Sequence, residues 1–101
     1  MLGLPPSPSQ LQEFLHDQRS GAFERLIDRL LASPHFGERW GRAWLDWSGY
    51  VDTFGSDNDA NTMKPLTRKW EYRDYAIRSF NIDKPFDRFI TEQLAGDEWV
   101  N

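Results

Sequence analysis

Apolar residues recur every three or four positions through most of this chain, which is the spacing of an amphipathic helix. After Ser7 and Pro8, a typical pair for a helix start, Leu11, Phe14 and Leu15 follow that spacing. The next stretch repeats the pattern with charged residues on the opposite side, and its apolar positions are Phe23, Leu26, Ile27, Leu30 and Leu31.

Aromatic residues dominate the third predicted helix, over residues 34–51, which Ser33 and Pro34 introduce. Four of its rings lie at positions i, i+4, i+8 and i+11, and thus on one side of a helix. This spacing is typical of a core face rather than of an exposed platform for stacking sugars. The four residues, called the aromatic stripe below, are Phe36, Trp40, Trp44 and Trp47.

Two further helices are predicted in the second half of the chain. Thr67 can cap one over residues 68–81, and Pro85 opens another that Gly96 is expected to end. The inner face of this last helix is expected to consist of Phe86, Phe89, Ile90 and Leu94.

The predicted fold class is all-α: a small bundle of four to five helices with an aromatic-rich core. No apolar residues alternate with polar ones over a useful length, so no sheet is expected. The 101 residues suffice for one domain, over residues 1–101. A polar loop over residues 52–66 is expected to join the third helix to the fourth.

Composition narrows the classes of function. The formal net charge of -4 argues against a nucleic-acid backbone as partner. The chain has no cysteine, which excludes disulfides, thiolate metal sites and covalent haem attachment within it. No apolar run approaches the ~20 residues of a membrane span, so no membrane insertion is expected. The opening MLGLPPSPSQ lacks the basic and apolar regions of a signal peptide.

Two long runs carry a family resemblance: LLASPHFGERW, which starts at Leu30, and RDYAIRSFNIDKPFDRFITEQLAGD, which starts at Arg73. LPPSPSQLQEFL, near the beginning of the chain, adds to it. Together these runs resemble the planctomycete cytochrome-associated domain of unknown function. The likeness is to the N-terminal portion of that domain and covers nearly the whole chain.

The resemblance implies a context rather than an activity. In that family a haem c domain often precedes this one, and another uncharacterised domain follows it, in large exported proteins. It therefore implies an exported or periplasmic parent, partners among the parent's other domains, and a haem cofactor in a neighbouring domain rather than in this chain. The chain, which ends on DEWVN, is expected to be a piece of such a protein.

The polar loop begins like a calcium site. Asp57, Asp59 and Asn61 occupy alternate positions, and calcium takes oxygen ligands at about 2.3–2.6 Å. The pattern then fails, because Thr62 stands where a glycine is needed and Arg68 where a bidentate glutamate is needed. A solvated loop is the favoured interpretation. The alternatives are weak calcium binding and membership of a ligand site.

Charged residues among the aromatic ones are the candidates for a ligand site. Arg39, Asp46, Asp52 and Arg73 would form a polar pocket beside the loop if they converged at one end of the bundle. An arginine between rings can bind an anion, although a structural cation–π contact is favoured for Arg73. Arg42 lies one turn before Asp46 and can pair with it.

No catalytic constellation is visible in the sequence. There is no Ser-His-Asp order and no glycine-rich phosphate loop, and Glu92, Asp97 and Glu98 are interpreted as a solvated acidic end of the last helix. The predicted function is a non-catalytic structural or interaction module of a larger exported protein. The alternative is part of a ligand- or carbohydrate-binding enzyme site in a haem-associated redox protein.

Overall fold

A computed structural model describes residues 1–51, 53–54 and 64–99 of the chain. Within these ranges the fold is all-α with five α-helices, as predicted. The helices are α1 (Pro8–His16), α2 (Ala22–Leu31), α3 (Pro34–Trp47), α4 (Lys69–Asn81) and α5 (Phe86–Ala95). A 3-10 helix (Gly96–Trp99) follows α5, and two short strands, β1 (Thr53–Phe54) and β2 (Lys64–Pro65), lie between α3 and α4.

Local contacts set the starts of α1 and α2. The Ser7 hydroxyl accepts a hydrogen bond from the backbone N–H of Gln10, and the Gln10 side chain accepts one from the backbone N–H of Ser7 at 2.8 Å. This reciprocal pair satisfies N–H groups that a helix start leaves free. Gly21 precedes α2 with φ 77°, a conformation that glycine adopts without strain and that lets the chain turn sharply between the helices.

A glycine ends α3 earlier than predicted. Gly49 has φ 68°, and its N–H donates to the Asp46 carbonyl at 3.3 Å. The N–H of Tyr50 donates to the Leu45 carbonyl at 2.9 Å, which completes the usual two-bond termination of a helix on glycine. The predicted continuation of this helix to Val51 is therefore wrong.

The chain around β1, β2 and the start of α4 also departs from the predictions. Arg68, with φ 65°, precedes α4 and no side chain caps the helix, so the predicted cap at Thr67 is wrong. β1 and β2 pair antiparallel, with Thr53 opposite Pro65. Strands of two residues carry no visible alternation, so the sequence could not indicate them. The second pair of the register is Phe54 with Lys64.

Glycines allow α3 and α4 to approach closely. A Cβ at Gly37 would lie 2.3 Å from the carbonyl oxygen of Ile77, and one at Gly41 would lie 3.3 Å from Ile77 Cα. Asn81 fastens the pair, because its Oδ1 accepts from the Gly37 N–H at 2.7 Å and its Nδ2 donates to the Pro34 carbonyl at 3.1 Å. The last residue of α4 thus satisfies a free N–H group at the start of α3.

The core lies where α3, α4 and α5 meet, and it is small. Among the described residues the buried apolar ones are Leu45, Ala76 and Phe89. The half-buried ring of Trp44 meets Phe89 edge-on, with 4.9 Å between ring centroids. An aromatic-rich core was predicted, and this cluster confirms it. The other rings in contact with Phe89 are those of Tyr75, Phe80 and Phe86.

Two predicted core faces are largely exposed. In the aromatic stripe, Trp40 is 47% and Trp47 83% exposed, and on α5 Phe86 is 68% and Leu94 83% exposed. On α3 the glycines rather than the rings face α4. The aromatic stripe therefore lies at the edge of the α3–α4 contact, where Trp40 and Trp47 stay exposed. On α5 the described residue that is buried is Phe89, so the predicted inner face is reduced to this ring. The prediction that these four side chains belong to the core is wrong.

α5 ends where predicted, but the conformation of the glycine at its end differs from the prediction. The helix ends at Ala95, next to the predicted stop at Gly96. Gly96 has φ -63°, however, so it does not terminate the helix in the left-handed conformation, and the chain continues as a 3-10 helix. The glycine is therefore not required here for its freedom at positive φ.

The molecule is flat and elongated. Its radius of gyration is 18.6 Å and its principal extents are 55 × 41 × 19 Å. A compact domain of this length would have a radius of gyration of about 13 Å. Within the described ranges, no helix combines the length and the apolar character that crossing a bilayer requires.

Candidate functional site

A series of hydrogen bonds between polar side chains crosses the region where α3, α4 and α5 meet. Trp44 Nε1–H donates to Tyr72 Oη at 2.9 Å, and the Tyr72 hydroxyl donates to Gln93 Oε1 at 2.5 Å. Gln93 Nε2–H donates to Tyr75 Oη at 3.2 Å. The Tyr75 hydroxyl donates to Glu92 Oε2 at 2.6 Å, so the series ends on a carboxylate.

Two cations hold that carboxylate. Lys84 Nζ donates to Glu92 Oε2, and Arg88 Nε donates to Oε1 at 3.0 Å. The Lys84 ammonium also lies 4.6 Å from the centroid of the Tyr75 ring. The Glu92 side chain is 17% exposed, so the prediction that it belongs to a solvated acidic end is wrong. The group, called the polar network below, consists of Trp44, Tyr72, Tyr75, Lys84, Arg88, Glu92 and Gln93.

The polar network shifts two pKa values in opposite directions. The hydrogen bond from Lys84, and then that from Tyr75, lowers the pKa of Glu92 from 4.5 to about 2. Burial, and then the hydrogen bond to Glu92, raises the pKa of Tyr75 to about 12. Near neutral pH the first group is therefore an acceptor and the second a donor, which fixes the direction of their hydrogen bond.

The chemistry of this carboxylate suits a structural role better than proton transfer. A general base needs a pKa near the working pH and room to reach a substrate proton. Glu92 has a pKa far below neutrality, and three donors on Tyr75, Lys84 and Arg88 occupy its oxygens. Among the described residues no buried side-chain nitrogen or oxygen lacks a hydrogen-bond partner. The polar network thus ties helices together.

A stack of rings lies beside the polar network and extends it toward the end of α3. The rings of Tyr50 and Tyr72 are 6.0 Å apart, as are those of Tyr72 and Tyr75. The ring of Tyr75 stacks on Phe89 at 5.8 Å with only 8° between their planes. The Tyr50 hydroxyl donates to the Lys69 carbonyl at 2.9 Å. These contacts connect the segment after α3 to the first turn of α4.

The predicted ligand residues lie apart from this network. Asp46 Oδ2 is 4.0 Å from Arg42 Nε, and both side chains are more than two-thirds exposed. Arg73 contacts the carboxylate of its neighbour in sequence at 3.4 Å. In the part of the chain that the structure describes, no hydrogen bond or ion pair joins Arg39, Asp46 and Arg73 to one another. Asp52 lies outside the described residues.

The predicted calcium ligands also lie outside the described residues. Asp57, Asp59 and Asn61 all fall in the segment 55–63. Over the described ranges, no group of three or more metal-ligating side chains lies close enough to hold an ion. Weak calcium binding by the loop stays a prediction.

Comparison with known protein families shows the family of this chain. A family model described as PSCyt2, a protein of unknown function (DUF1549), matches residues 1–101. The chain belongs to the PSCyt2 family. No curated protein and no solved structure matches the chain. Membership confirms the resemblance seen in the sequence, and it assigns no reaction to this PSCyt2 domain.

The sequence of this PSCyt2 domain contains weak signals for the polar network. Tyr72 and Tyr75 lie at i and i+3 on α4 and thus on one side of it, and Arg88 and Glu92 lie at i and i+4 on α5. Such spacing shows which side chains share a helix face. It does not show that the two faces meet, and for that reason the network was missed.

Proposed function

We propose that this PSCyt2 domain is a non-catalytic helical module that packs against other domains of a larger exported protein. In this proposal any haem belongs to a neighbouring domain of that protein. The observation that carries the proposal is the exposure of large apolar side chains on all five helices.

The exposed apolar surface is larger than an independent domain needs. Thirteen large apolar residues of the described ranges are at least 42% exposed, whereas three apolar residues are buried. Single exposed apolar residues are ordinary, but here the exposed large apolar residues far outnumber the buried apolar ones. Trp47 and Leu94, each 83% exposed, are the extreme cases on α3 and α5. Such side chains are stabilised when another protein surface covers them.

The elongated shape supports the same conclusion. The radius of gyration is 18.6 Å, and the molecule is only 19 Å thick. In so thin an arrangement each helix can pack against other helices on few of its sides. Helix α2, for example, has a strongly amphipathic sequence, yet Phe23 on its apolar side is 62% exposed and no residue of the helix is buried. An apolar face without a covering layer is expected in a module that is completed by neighbouring domains.

The alternative of a ligand- or carbohydrate-binding enzyme site has less support. It requires Arg39, Asp46 and Arg73 to share a pocket with Asp52. Asp46 and Arg73 make separate, exposed contacts, and among the described residues no hydrogen bond or ion pair joins Arg39 to either of them. Asp52 lies outside the described residues. No second function is therefore proposed.

Cysteine labelling tests the proposal cleanly because the chain has no cysteine of its own. Leu94→Cys is introduced into this chain alone and into the protein expressed from its complete reading frame. A maleimide should react quickly with the first and at least about 10-fold more slowly with the second, since covered side chains are shielded from solvent. The control is Gln12→Cys on the exposed polar side of α1, which should react at the same rate in both.

Equal rates at Leu94→Cys in the two proteins would contradict the proposal. A complete reading frame that encodes no further domain would contradict it as well. Unequal rates at the control position would show a general change in folding, and Trp70→Cys on α4, where the native side chain is 53% exposed, would then serve as the second probe.

A further inference from the structure

The aromatic stripe of α3 presents a protruding ring and a cavity on one face. Trp47 is 83% exposed and stands at the C-terminal end of the stripe. Near the other end, Phe36 lines a cavity of about 230 Å³. Its wall also includes three rings and three polar side chains, which are Phe80, Phe86, Phe89, Ser79, Asp83 and Lys84. An engineered cavity of about 150 Å³ takes up benzene, so this one is large enough for an aromatic ring. From these features we infer that two copies of this chain pair through the exposed members of their α3 stripes, Trp40 and Trp47.

The two α3 helices run antiparallel. Their two-fold axis is perpendicular to both helices and passes between them at the height of the midpoint between Gly41 and Arg42. Phe36 and Trp47 lie about 16–17 Å apart along α3, at equal distances from this axis. The partner's Trp47 therefore comes opposite Phe36 and its cavity. Trp40 comes opposite the partner's Ala43, which is small enough to accept the facing indole. A two-fold axis makes each such contact twice.

Charges beside the stripe complement one another in this arrangement. Arg39 and Asp46 flank the same side of α3, and the axis places the partner's Asp46 within about one helical turn of Arg39. Asp46 is 71% exposed, and its contact with Arg42 is long at 4.0 Å. Among the residues that the structure describes, no carboxylate pairs with Arg39, whose Cδ would lie 3.0 Å from a Cβ at Gly3. Two intermolecular ion pairs can therefore form.

The apolar area matches what a stable pair needs. Trp40, Trp47 and Phe86 together expose roughly 450 Å² if a fully buried ring covers about 150–250 Å². A standard interface buries about 800 Å² per partner, of which a little over half is apolar. The stripe with its charged flank thus supplies the apolar part of one such interface. This inference rests on the proposed function, because it names a second copy of the chain as one partner of the module.

Sedimentation equilibrium over about 1–100 μM protein tests the pairing. The chain should show twice its 11.9 kDa mass at the upper end of the range. Trp47→Glu should weaken the dimer about 30-fold or more, as expected for an aromatic anchor that fills a pocket of its partner. Leu94→Glu is the matched control: it replaces an equally exposed apolar side chain that lies off the stripe, and it should leave the dimer intact.

A charge exchange tests the orientation. Arg39→Asp alone and Asp46→Arg alone should each weaken the dimer, because each puts like charges opposite one another. The double variant Arg39→Asp/Asp46→Arg should restore it, and circular dichroism should show the same helix content in all variants. Failure of the double variant to recover would overturn the antiparallel arrangement.

A chain that remains monomeric at about 100 μM would overturn the inference, and so would a dimer that Trp47→Glu leaves unchanged. Masses that keep rising with concentration would also overturn it, since a two-fold pair is closed. These results leave the maleimide protection of Leu94→Cys unaffected. A failure of the pairing is therefore distinguishable from a failure of the proposed function.

Discussion

Gly37 shows at the scale of one residue how α3 and α4 depend on each other. Its N–H is bonded to Asn81, and the space that a side chain would need is taken by the backbone of α4. A methyl group at this position would lie 2.3 Å from a carbonyl oxygen, which no relaxed structure tolerates. The two helices would have to move apart, and the hydrogen bond of Asn81 would lengthen.

Gly37→Ala should therefore lower the free energy of unfolding by about 1–3 kcal/mol, the usual cost of overpacking. The measurement is urea denaturation followed by circular dichroism. Gly96→Ala is the control, because nothing lies within 4 Å of its Cβ position and φ is -63°. That control should be neutral or more stable by up to ~1 kcal/mol. Identical midpoints for the two variants would show that the close contact is not formed in solution.

The sequence did not reveal this role of Gly37 and Gly41. Within a single helix, a glycine only lowers the stability of that helix. Its benefit depends on the backbone of a partner helix, and nothing in the spacing of α3 identifies that partner. The short-range capping by Ser7 and Ser33, by contrast, was predicted correctly, because the donor and acceptor lie within three residues of each other.

At the scale of elements, the polar network decides how α4 and α5 respond to acid. The pKa of Glu92 is about 2 in the folded chain, below its ordinary value of 4.5. Its contribution to stability is therefore complete above about pH 4.5 and is lost as the pH falls toward 2. Asp17, between α1 and α2, also has a pKa far below its ordinary range, because Arg19 and Arg25 donate to it.

Glu92→Gln should flatten the acid limb of the stability curve. Urea midpoints of the wild-type chain and the variant should differ most above about pH 4.5 and converge toward pH 2. Part of the acid sensitivity should remain through Asp17. Glu24→Gln in the first turn of α2 is the control and should follow the wild-type curve. Parallel curves for wild type and Glu92→Gln would disprove the assigned role of the network.

The elements themselves were more predictable than the faces they bury. Four to five helices were expected and five are present within the described ranges, because spacing, caps and prolines are local signals. The buried side of α3 was assigned to its rings, yet Gly37, Gly41 and Leu45 take that position. Large apolar rings are favoured in a core only where the backbone separation admits them. Which side faces a neighbour is a property of the pair of helices and not of one sequence pattern.

At the scale of the whole molecule, Trp44 is where three helices meet. It belongs to α3, its indole N–H donates to Tyr72 of α4, and its ring contacts Phe89 of α5. The core has few buried side chains, so the loss of one large ring removes a substantial share of it. Trp44 was predicted to be a core residue; its ring is half-buried and contacts the buried Phe89.

Trp44→Ala should destabilise the chain by about 3–5 kcal/mol, which could approach the whole stability of a domain this size. Trp44→Phe keeps a ring but removes the N–H donor, and it should cost about 1–3 kcal/mol. Trp70→Ala, which truncates a 53% exposed ring, should change stability by less than about 1 kcal/mol. A midpoint for Trp44→Ala equal to that of wild type would show that the three helices do not fold as one unit.

The pairing of β1 with β2 holds together the two points at which the chain leaves α3 and returns to α4. Thr53 and Pro65 face each other across it, so the chain leaves and returns at nearly the same point. Doubling the number of residues between them would add only about 0.6 kcal/mol of loop-closure entropy. A peptide tag or a sensor module inserted between β1 and β2 should therefore leave the packing of α3 against α4 intact.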